Sequence, residues 1–257
     1  MSNSILKVTS LKEFRKIGFI VPSSNVALEI VTSAIIAQLP SVSVHYSRIS
    51  VTHIDAGAAK QFTAETLTRC AELIANAPVE TVLWNGTSES WTGEGYEAGV
   101  NIASEIERAT GLPSSTTSLA QVEVLKGWGF KKIALATPYI DELHSKLSEY
   151  YDSVGIEVVN SVGLGIKINN DIAYVPVERM RQLIREANHP DAECIVIPCT
   201  NFPAAILVEE MERELGKPIF DSIIVTLWKA LGLIGIKTPI HGWGRLLRQD
   251  RAHESLA

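Results

Sequence analysis

A cysteine, a hydroxyl and a carboxamide follow one short apolar run in the second half of the chain. The run Ile-Val-Ile-Pro at 195–198 predicts a buried parallel strand that ends at its proline. Cys199, Thr200 and Asn201 come directly after it, ahead of a helical pattern over 204–215. Open α/β sheets bind ligands at this end of their strands, where a helix N-terminus favours anions and lowers a thiol pKa. Cys199 is therefore either a reactive thiol in an anion-binding site or a small buried hydrophobe.

Strand patterns and helix patterns alternate along the rest of the chain. The predicted strands cover 17–21, 42–51, 81–84, 114–117, 132–136, 156–162, 195–197 and 219–220. The predicted helices cover 26–39, 64–76, 96–110, 119–128, 141–154, 176–187, 204–215 and 227–236. This alternation predicts an α/β fold whose parallel sheets are covered by helices on both faces.

The second half of the chain repeats the first at low similarity. Pro22 corresponds to Pro138, 116 residues later, and Gly86 corresponds to Cys199, 113 residues later. The repeat predicts two pseudosymmetric Rossmann-like lobes, each with a roughly four-stranded parallel sheet, and an active site between them. The predicted domain boundaries are 15–117 plus 228–250 for the first lobe and 118–227 for the second.

Composition narrows the classes of function. The chain of 257 residues has a net charge of −6 and no basic stripe, which argues against nucleic acid as a partner. Its apolar runs are too short to span a membrane, no apolar leader is visible, and three cysteines favour a cytoplasmic protein without disulfides. The histidines form no metal-binding pair, so no metal site is expected. A hydrophobic fraction of 46% is compatible with a homo-oligomeric face.

Several of these segments together resemble a known enzyme superfamily. The most specific are 17–25, 86–88 (Gly-Thr-Ser), 134–140 (Ala-Leu-Ala-Thr-Pro-Tyr-Ile), 198–201 (Pro-Cys-Thr-Asn) and 242–245 (Gly-Trp-Gly-Arg). They resemble the aspartate/glutamate racemase superfamily, and in particular its branch of arylmalonate decarboxylases and maleate cis-trans isomerases. The resemblance implies two α/β lobes, a cleft between them and chemistry without a cofactor. In the racemases and isomerases of this superfamily, each lobe supplies one cysteine.

The first-lobe cysteine of that pattern is absent here, because Gly86 stands at its position and only Cys199 remains. Arylmalonate decarboxylases share this arrangement, which implies that the thiol protonates an enediolate left after loss of carbon dioxide. By the same resemblance, Thr87, Ser88 and Tyr139 would hydrogen-bond a substrate carboxylate. The amide of Thr200 and neighbouring groups, Asn201 among them, would bind the same carboxylate.

Other positions fit the isomerases better and suggest a more polar cleft. Glu89 stands where the well-known decarboxylases have an apolar residue, although a lone carboxylate is more often exposed to solvent. Asn25 and Asn170 match amides that hold the second carboxylate of maleate in the isomerases. Asn25 could instead only cap its helix, as could the two hydroxyls after Gly86, and the loop alignment leaves Asn169 as an alternative to Asn170.

Three classes of function stay open from the sequence. The first is a cofactor-independent lyase that acts on a small carboxylic acid through an enediolate-like intermediate and the single thiol of Cys199. The second is an enzyme on a polar small acid that resembles maleate isomerase or a racemase. The third is a non-catalytic protein that binds a small acid, which requires an inert thiol.

Overall fold

Two four-stranded parallel sheets form the framework of the protein. The computed structural model describes residues 10–52, 63–91 and 95–249. The first sheet has the strand order β2-β1-β3-β4 and the second has the order β6-β5-β7-β8. The strands are β1 Arg15–Pro22, β2 Val42–Ile49, β3 Thr81–Trp84, β4 Ser114–Thr116, β5 Lys132–Thr137, β6 Glu157–Gly163, β7 Cys194–Ile197 and β8 Ile219–Asp221. The same order recurs in both sheets and all pairings are parallel, so the predicted fold class and the internal repeat are confirmed.

Helices connect the strands and cover both faces of each sheet. They are α1 Leu28–Ile36, α2 Ala64–Ala75, α3 Gly95–Thr110, α4 Thr117–Gly127, α5 Asp141–Asp152, α6 Asn169–Ile172, α7 Val177–Ala187, α8 Val208–Leu215, α9 Ser222–Leu233 and α10 Arg245–Arg248. Gly216 ends α8 in the left-handed region at φ 70°, as its place after the helical pattern predicts. Among the described residues, no helix is long and apolar enough to cross a membrane.

The segment after Cys199 differs from the prediction of one continuous helix over 204–215. A 3-10 helix, Pro203–Leu207, comes first, and its last turn closes with a bond from the amide of Val208 to the carbonyl of Ala205. The α-helix begins only at Val208. Cys199 therefore does not stand at the N-terminus of an α-helix, which removes the helix dipole as a cause for a lowered thiol pKa.

The last long helix begins earlier than predicted. The sequence pattern places it over 227–236, but α9 starts at Ser222 because the Asp221 carboxylate caps it. One Asp221 oxygen accepts from the amides of Ile223 and Ile224, at 2.9 and 3.3 Å. Capping of this kind satisfies amide donors that have no partner within a helix.

The two sheets meet through α4 and α9, which pack against each other. Thr117 and Thr226 share a hydrogen bond of 2.7 Å between their hydroxyls, and Gln121 donates to the Ser222 hydroxyl at 3.2 Å. All four side chains are buried. The main apolar core runs through both halves, while a second core lies under α2 and α3 and includes Cys70, which the helical pattern places on a core face. The domain boundaries given above stay a prediction.

Candidate active site

The carboxyl ends of strands from both sheets surround one small cavity. It has a volume of about 30 Å³, which is room for about one water molecule. Its lining comes from both halves of the chain: Pro22, Asn25, Val51, Trp84, Gly86, Thr87, Ser88, Trp91, Tyr139, Asn169, Cys199, Thr200 and Asn201. Eight of the nine residues predicted for the site line this cavity.

Cys199 presents a neutral thiol to the cavity. Its side chain is only 3% exposed. Burial raises the pKa of Cys199 to about 11, and the nearby Asp221 carboxylate raises it further. The Tyr139 hydroxyl and the backbone amides of Asn201 and Phe202 lower this pKa in part. The expectation of a lowered thiol pKa is therefore wrong, because desolvation of the thiolate outweighs the donors around it.

Two hydroxyls from opposite lobes meet beside the thiol. The Tyr139 hydroxyl donates to the carbonyl of Pro198 at 2.9 Å. The Thr87 hydroxyl lies 3.1 Å from both the Tyr139 hydroxyl and that carbonyl oxygen. The Trp91 ring packs edge-on against Tyr139, with 6.1 Å between ring centroids. Thr87 and Tyr139 are buried, and the half-buried Ser88 also lines the cavity.

Two carboxamides bridge the lobes on the other side of the cavity. The Asn25 oxygen accepts from the amides of Ala27 and Leu28 at 3.1 and 3.0 Å, so this side chain does cap α1. Its nitrogen donates to the Thr200 hydroxyl at 3.1 Å, so it also crosses the cleft. The Asn201 oxygen accepts from the amide of Val26 at 2.9 Å. Capping and cleft lining therefore coexist in the same side chains.

Asn169, and not Asn170, belongs to the cavity. Asn169 is buried at the start of α6, and its nitrogen donates to the Ser24 hydroxyl at 2.7 Å. Its backbone carbonyl accepts from the Asn201 side chain at 2.6 Å. Asn170 is exposed and is absent from the lining. Of the two alternatives that the loop alignment leaves open, Asn169 lies on the cavity and Asn170 does not, because neighbouring residues on a helix point in different directions.

The indole of Trp84 fills the space that a side chain at position 86 would need. A Cβ atom at residue 86 would lie 2.3 Å from Cζ2 of Trp84. The indole Nε1 donates to a carboxylate oxygen of Glu89 at 3.1 Å. Glu89 is 3% exposed, so the expectation that it faces solvent is wrong. Burial raises the pKa of Glu89, and its hydrogen bonds, including that from Trp84, lower it in part.

Four lining residues were not predicted as site residues, namely Pro22, Val51, Trp84 and Trp91, and Asn169 was predicted only as an alternative to Asn170. The sequence could have indicated Trp84, because residues two apart in an extended strand share a face. Gly86, two positions after Trp84, has no side chain and therefore leaves room for the indole ring. Pro22 and Trp91 adjoin predicted site segments. Val51 lies after β2, and only the strand order shows that this end faces the cavity.

The chemistry available in the cavity is proton transfer and hydrogen bonding to anions. Within the described ranges, no group of three or more histidine, cysteine or acidic residues could hold a metal ion. A larger groove of about 520 Å³ lies along α9 and the C-terminal turn, where Trp228, Leu233 and Ile240 line it. This groove contains neither a cysteine nor a histidine, so the small cavity is the candidate site.

Comparison with known proteins identifies the family. The family model for arylmalonate decarboxylase (Amdase) matches residues 17–247. A maleate isomerase of Alcaligenes faecalis is 25% identical over 248 residues, which cover 92% of this chain and 97% of that protein. The arylmalonate decarboxylase of Bordetella bronchiseptica is 30% identical over 169 residues, which cover 64% of this chain and 70% of that protein.

A solved structure matches the whole architecture. It is a cysteine-to-serine variant of the Nocardia farcinica maleate cis-trans isomerase with a covalently bound succinylcysteine intermediate. Its TM-score is 0.86 at 26% identity, and the match covers 92% of this chain and 99% of that one. The sequence resemblance is thereby confirmed. The chain belongs to the arylmalonate decarboxylase family and is an enzyme of its decarboxylase or isomerase type.

Proposed function

We propose that the protein is a cofactor-independent lyase that decarboxylates a small carboxylic acid and protonates the resulting enediolate from Cys199. The observation that carries this proposal is the asymmetry of the cavity. One buried thiol, neutral at physiological pH, lies on the second-lobe side, and Gly86 with the Trp84 indole lies on the other. A neutral thiol is a proton donor, so the site offers an acid on one face of a substrate.

The proposed reaction has two steps. The bond between the α-carbon and one carboxyl group breaks, carbon dioxide leaves, and the electron pair spreads into the remaining carboxylate as an enediolate. The Cys199 thiol then donates its proton to the α-carbon, and the thiolate takes a proton from solvent. In this proposal, the enediolate oxygens accept hydrogen bonds from the hydroxyls of Thr87, Ser88 and Tyr139 and from the amide of Thr200. Each preorganised donor contributes about 3 kcal/mol in a site that excludes water.

Substrate entry requires the cavity to widen. A volume of about 30 Å³ holds a water molecule, whereas a dicarboxylic acid has several heavy atoms. The bonds that close the cavity join donors of one lobe to acceptors of the other, such as Asn25 to Thr200. We expect a carboxylate to replace these acceptors, so that the donors stay satisfied when the acid binds.

Isomerisation of a cis-dicarboxylic acid is the second candidate. It is supported by the carboxamides of Asn25, Asn169 and Asn201 around the cavity and by the relatives named maleate isomerase. In this reaction a Cys199 thiolate would add to the double bond, the new single bond would rotate, and the carbon–sulfur bond would break again. This route needs the thiolate, which a pKa of about 11 disfavours at neutral pH. The lyase is placed first because Gly86 stands opposite and Cys199 is the one cysteine among the described residues that line the cavity.

The test follows both reactions in one experiment. The purified protein is incubated in deuterated buffer with methylmalonate, phenylmalonate or maleate, and products are followed by NMR. The lyase proposal predicts loss of carbon dioxide and one deuterium at the α-carbon, in one enantiomer. Fumarate from maleate, without decarboxylation of either malonate, would overturn it. Cys199→Ala should remove turnover, and Cys70→Ala serves as the matched control because Cys70 is buried outside the site.

A further inference from the structure

Gly86 is a glycine for a reason of space and not of backbone conformation. Its φ lies outside the left-handed region in which glycine is favoured. A Cβ atom there would lie 2.3, 2.6 and 2.9 Å from three atoms of the Trp84 ring, all closer than real Cβ contacts. The indole is rigid and fully buried at the end of β3, so it cannot give way as a flexible side chain would.

Glu89 fixes that indole in place. It belongs to the short 3-10 turn that follows β3, and it accepts the Nε1–H of Trp84 at 3.1 Å. Glu89 is absent from the cavity lining, so its buried carboxylate faces the protein and not the substrate space. Burying a carboxylate is costly unless it is hydrogen-bonded, and this one holds the ring through such a bond.

The second lobe shows what the same position looks like without a tryptophan. The repeat pairs β3 with β7, residue 84 with Ile197, Gly86 with Cys199, and Glu89 with Phe202. At the end of β7 the aliphatic Ile197 stands two residues before Cys199, and Cys199 lines the cavity. The indole therefore accounts for the glycine at position 86, and the position that corresponds to it in the second lobe carries a side chain.

We propose that Trp84 is the specificity-determining residue of the first-lobe half of the cavity and that Glu89 is the positioning residue that holds it. The indole fills the space on the side opposite Cys199, so the site accepts short acids whose α-substituent on that side is small and disfavours α-aryl acids. The proposal rests on the proposed function, since it concerns acids bound in the same cavity. It also gives Glu89 a role that involves no contact with substrate.

The first arm of the test measures acid selectivity without requiring turnover. Binding of malonate and phenylmalonate is measured by calorimetry for the parent, Trp84→Ile, Glu89→Leu and Glu89→Gln. We expect Trp84→Ile, which copies Ile197, to shift the affinity ratio at least tenfold toward phenylmalonate. Glu89→Leu should shift it severalfold in the same direction. Glu89→Gln should keep the parent ratio, because its amide oxygen still accepts the indole N–H.

A control tryptophan separates this effect from general loss of aromatic residues. Trp228 lines the distant groove, so Trp228→Ala should leave the ratio unchanged. An unchanged ratio in Trp84→Ile would overturn the specificity role. Absence of binding of both acids to both the parent and Trp84→Ile would overturn the proposed substrate class and, with it, the specificity claim.

The second arm needs no ligand and therefore distinguishes the two failures. Gly86→Ala should lower the melting temperature by more than about 3 °C in the parent, because the methyl group meets the ring. It should have little effect in Trp84→Ile. Gly127→Ala is the matched control, since a Cβ there meets nothing within 4 Å and its φ is also outside the left-handed region. Equal effects of Gly86→Ala and Gly127→Ala in the parent would overturn the claim that the indole occupies this space.

Discussion

The raised pKa of Cys199 predicts how the alkylation rate of this thiol depends on pH. With a pKa of about 11, the thiolate fraction is about 10⁻⁴ at pH 7 and about 10⁻² at pH 9. Alkylation proceeds through the thiolate, so its rate at Cys199 should rise about tenfold for each pH unit from 7 to 10. An ordinary cysteine with a pKa of about 8.5 would instead approach a plateau within this range.

Two substitutions should move that rate in opposite directions. When it is ionised, which is favoured above its pKa of about 7, the buried Asp221 carboxylate raises the pKa of Cys199, so Asp221→Asn should lower this pKa and speed alkylation above pH 7. The Tyr139 hydroxyl lowers the pKa of Cys199, so Tyr139→Phe should slow alkylation. Both variants keep the approximate shape of the parent side chain, which limits changes in access to the thiol.

The assay is brief exposure to iodoacetamide at a series of pH values, followed by mass mapping of the peptide that contains Cys199. Access to a side chain that is 3% exposed sets the absolute rate, but the slope with pH is independent of access. The same peptide in unfolded protein provides the reference for an unperturbed thiol. A plateau below pH 9 in the folded protein, or slower alkylation in Asp221→Asn, would refute the account of a thiol kept neutral by burial.

Three further predictions concern the same region. Cys199→Ala should remove turnover while malonate still binds, because the hydroxyls and amides remain; calorimetry showing no binding would contradict this. Gly86→Cys alone should destabilise the fold, whereas Trp84→Ile with Gly86→Cys should exchange the α-proton of a chiral short acid with solvent deuterium, as followed by NMR. Burial raises the pKa of Asp221 from 3.8 to about 7, so the folded state favours the neutral form of this side chain. As pH rises from 4 to 7, the free energy of unfolding should therefore fall by up to about 4 kcal/mol. Asp221→Asn should lack this loss in denaturant titrations, and an identical pH dependence in both proteins would argue against it.

The fold could be predicted from the sequence because its signals are local and repeated. Apolar β-branched runs such as 195–197, each followed by a turn and a helical pattern, mark the strands, and the repeat indicates that both halves share one topology. The start of α9 was missed because its cap, Asp221, lies within an apolar stretch that reads as strand. The 3-10 turn after Cys199 was missed because a single helical periodicity runs through it.

The site was predictable in its composition but not in its electrostatics. Strand ends and the repeat bring Thr87, Tyr139 and Cys199 together, and the structure places all three on one cavity. Whether a thiol is acidic or kept neutral depends on its desolvation, which arises from residues distant in sequence. Glu89 was predicted to face solvent, but it is buried beside Trp84 and accepts a hydrogen bond from the indole N–H. The sequence does not show this contact, because it depends on the position of the Trp84 ring next to Gly86.

Hydrogen bonds between the lobes account for the small size of the cavity and bear on the proposed binding of an acid. Asn25 reaches Thr200, Asn169 reaches Ser24, and the Thr87 hydroxyl reaches across to the carbonyl of Pro198. Each bond joins a polar group of one half to a polar group of the other, and it would be broken if the lobes separated. A bound carboxylate offers acceptors to the same carboxamide and hydroxyl donors, so binding exchanges bonds between lobes for bonds to the ligand. In the proposed reaction, closure around the acid would restore a dry cavity, with the neutral thiol of Cys199 as the proton donor.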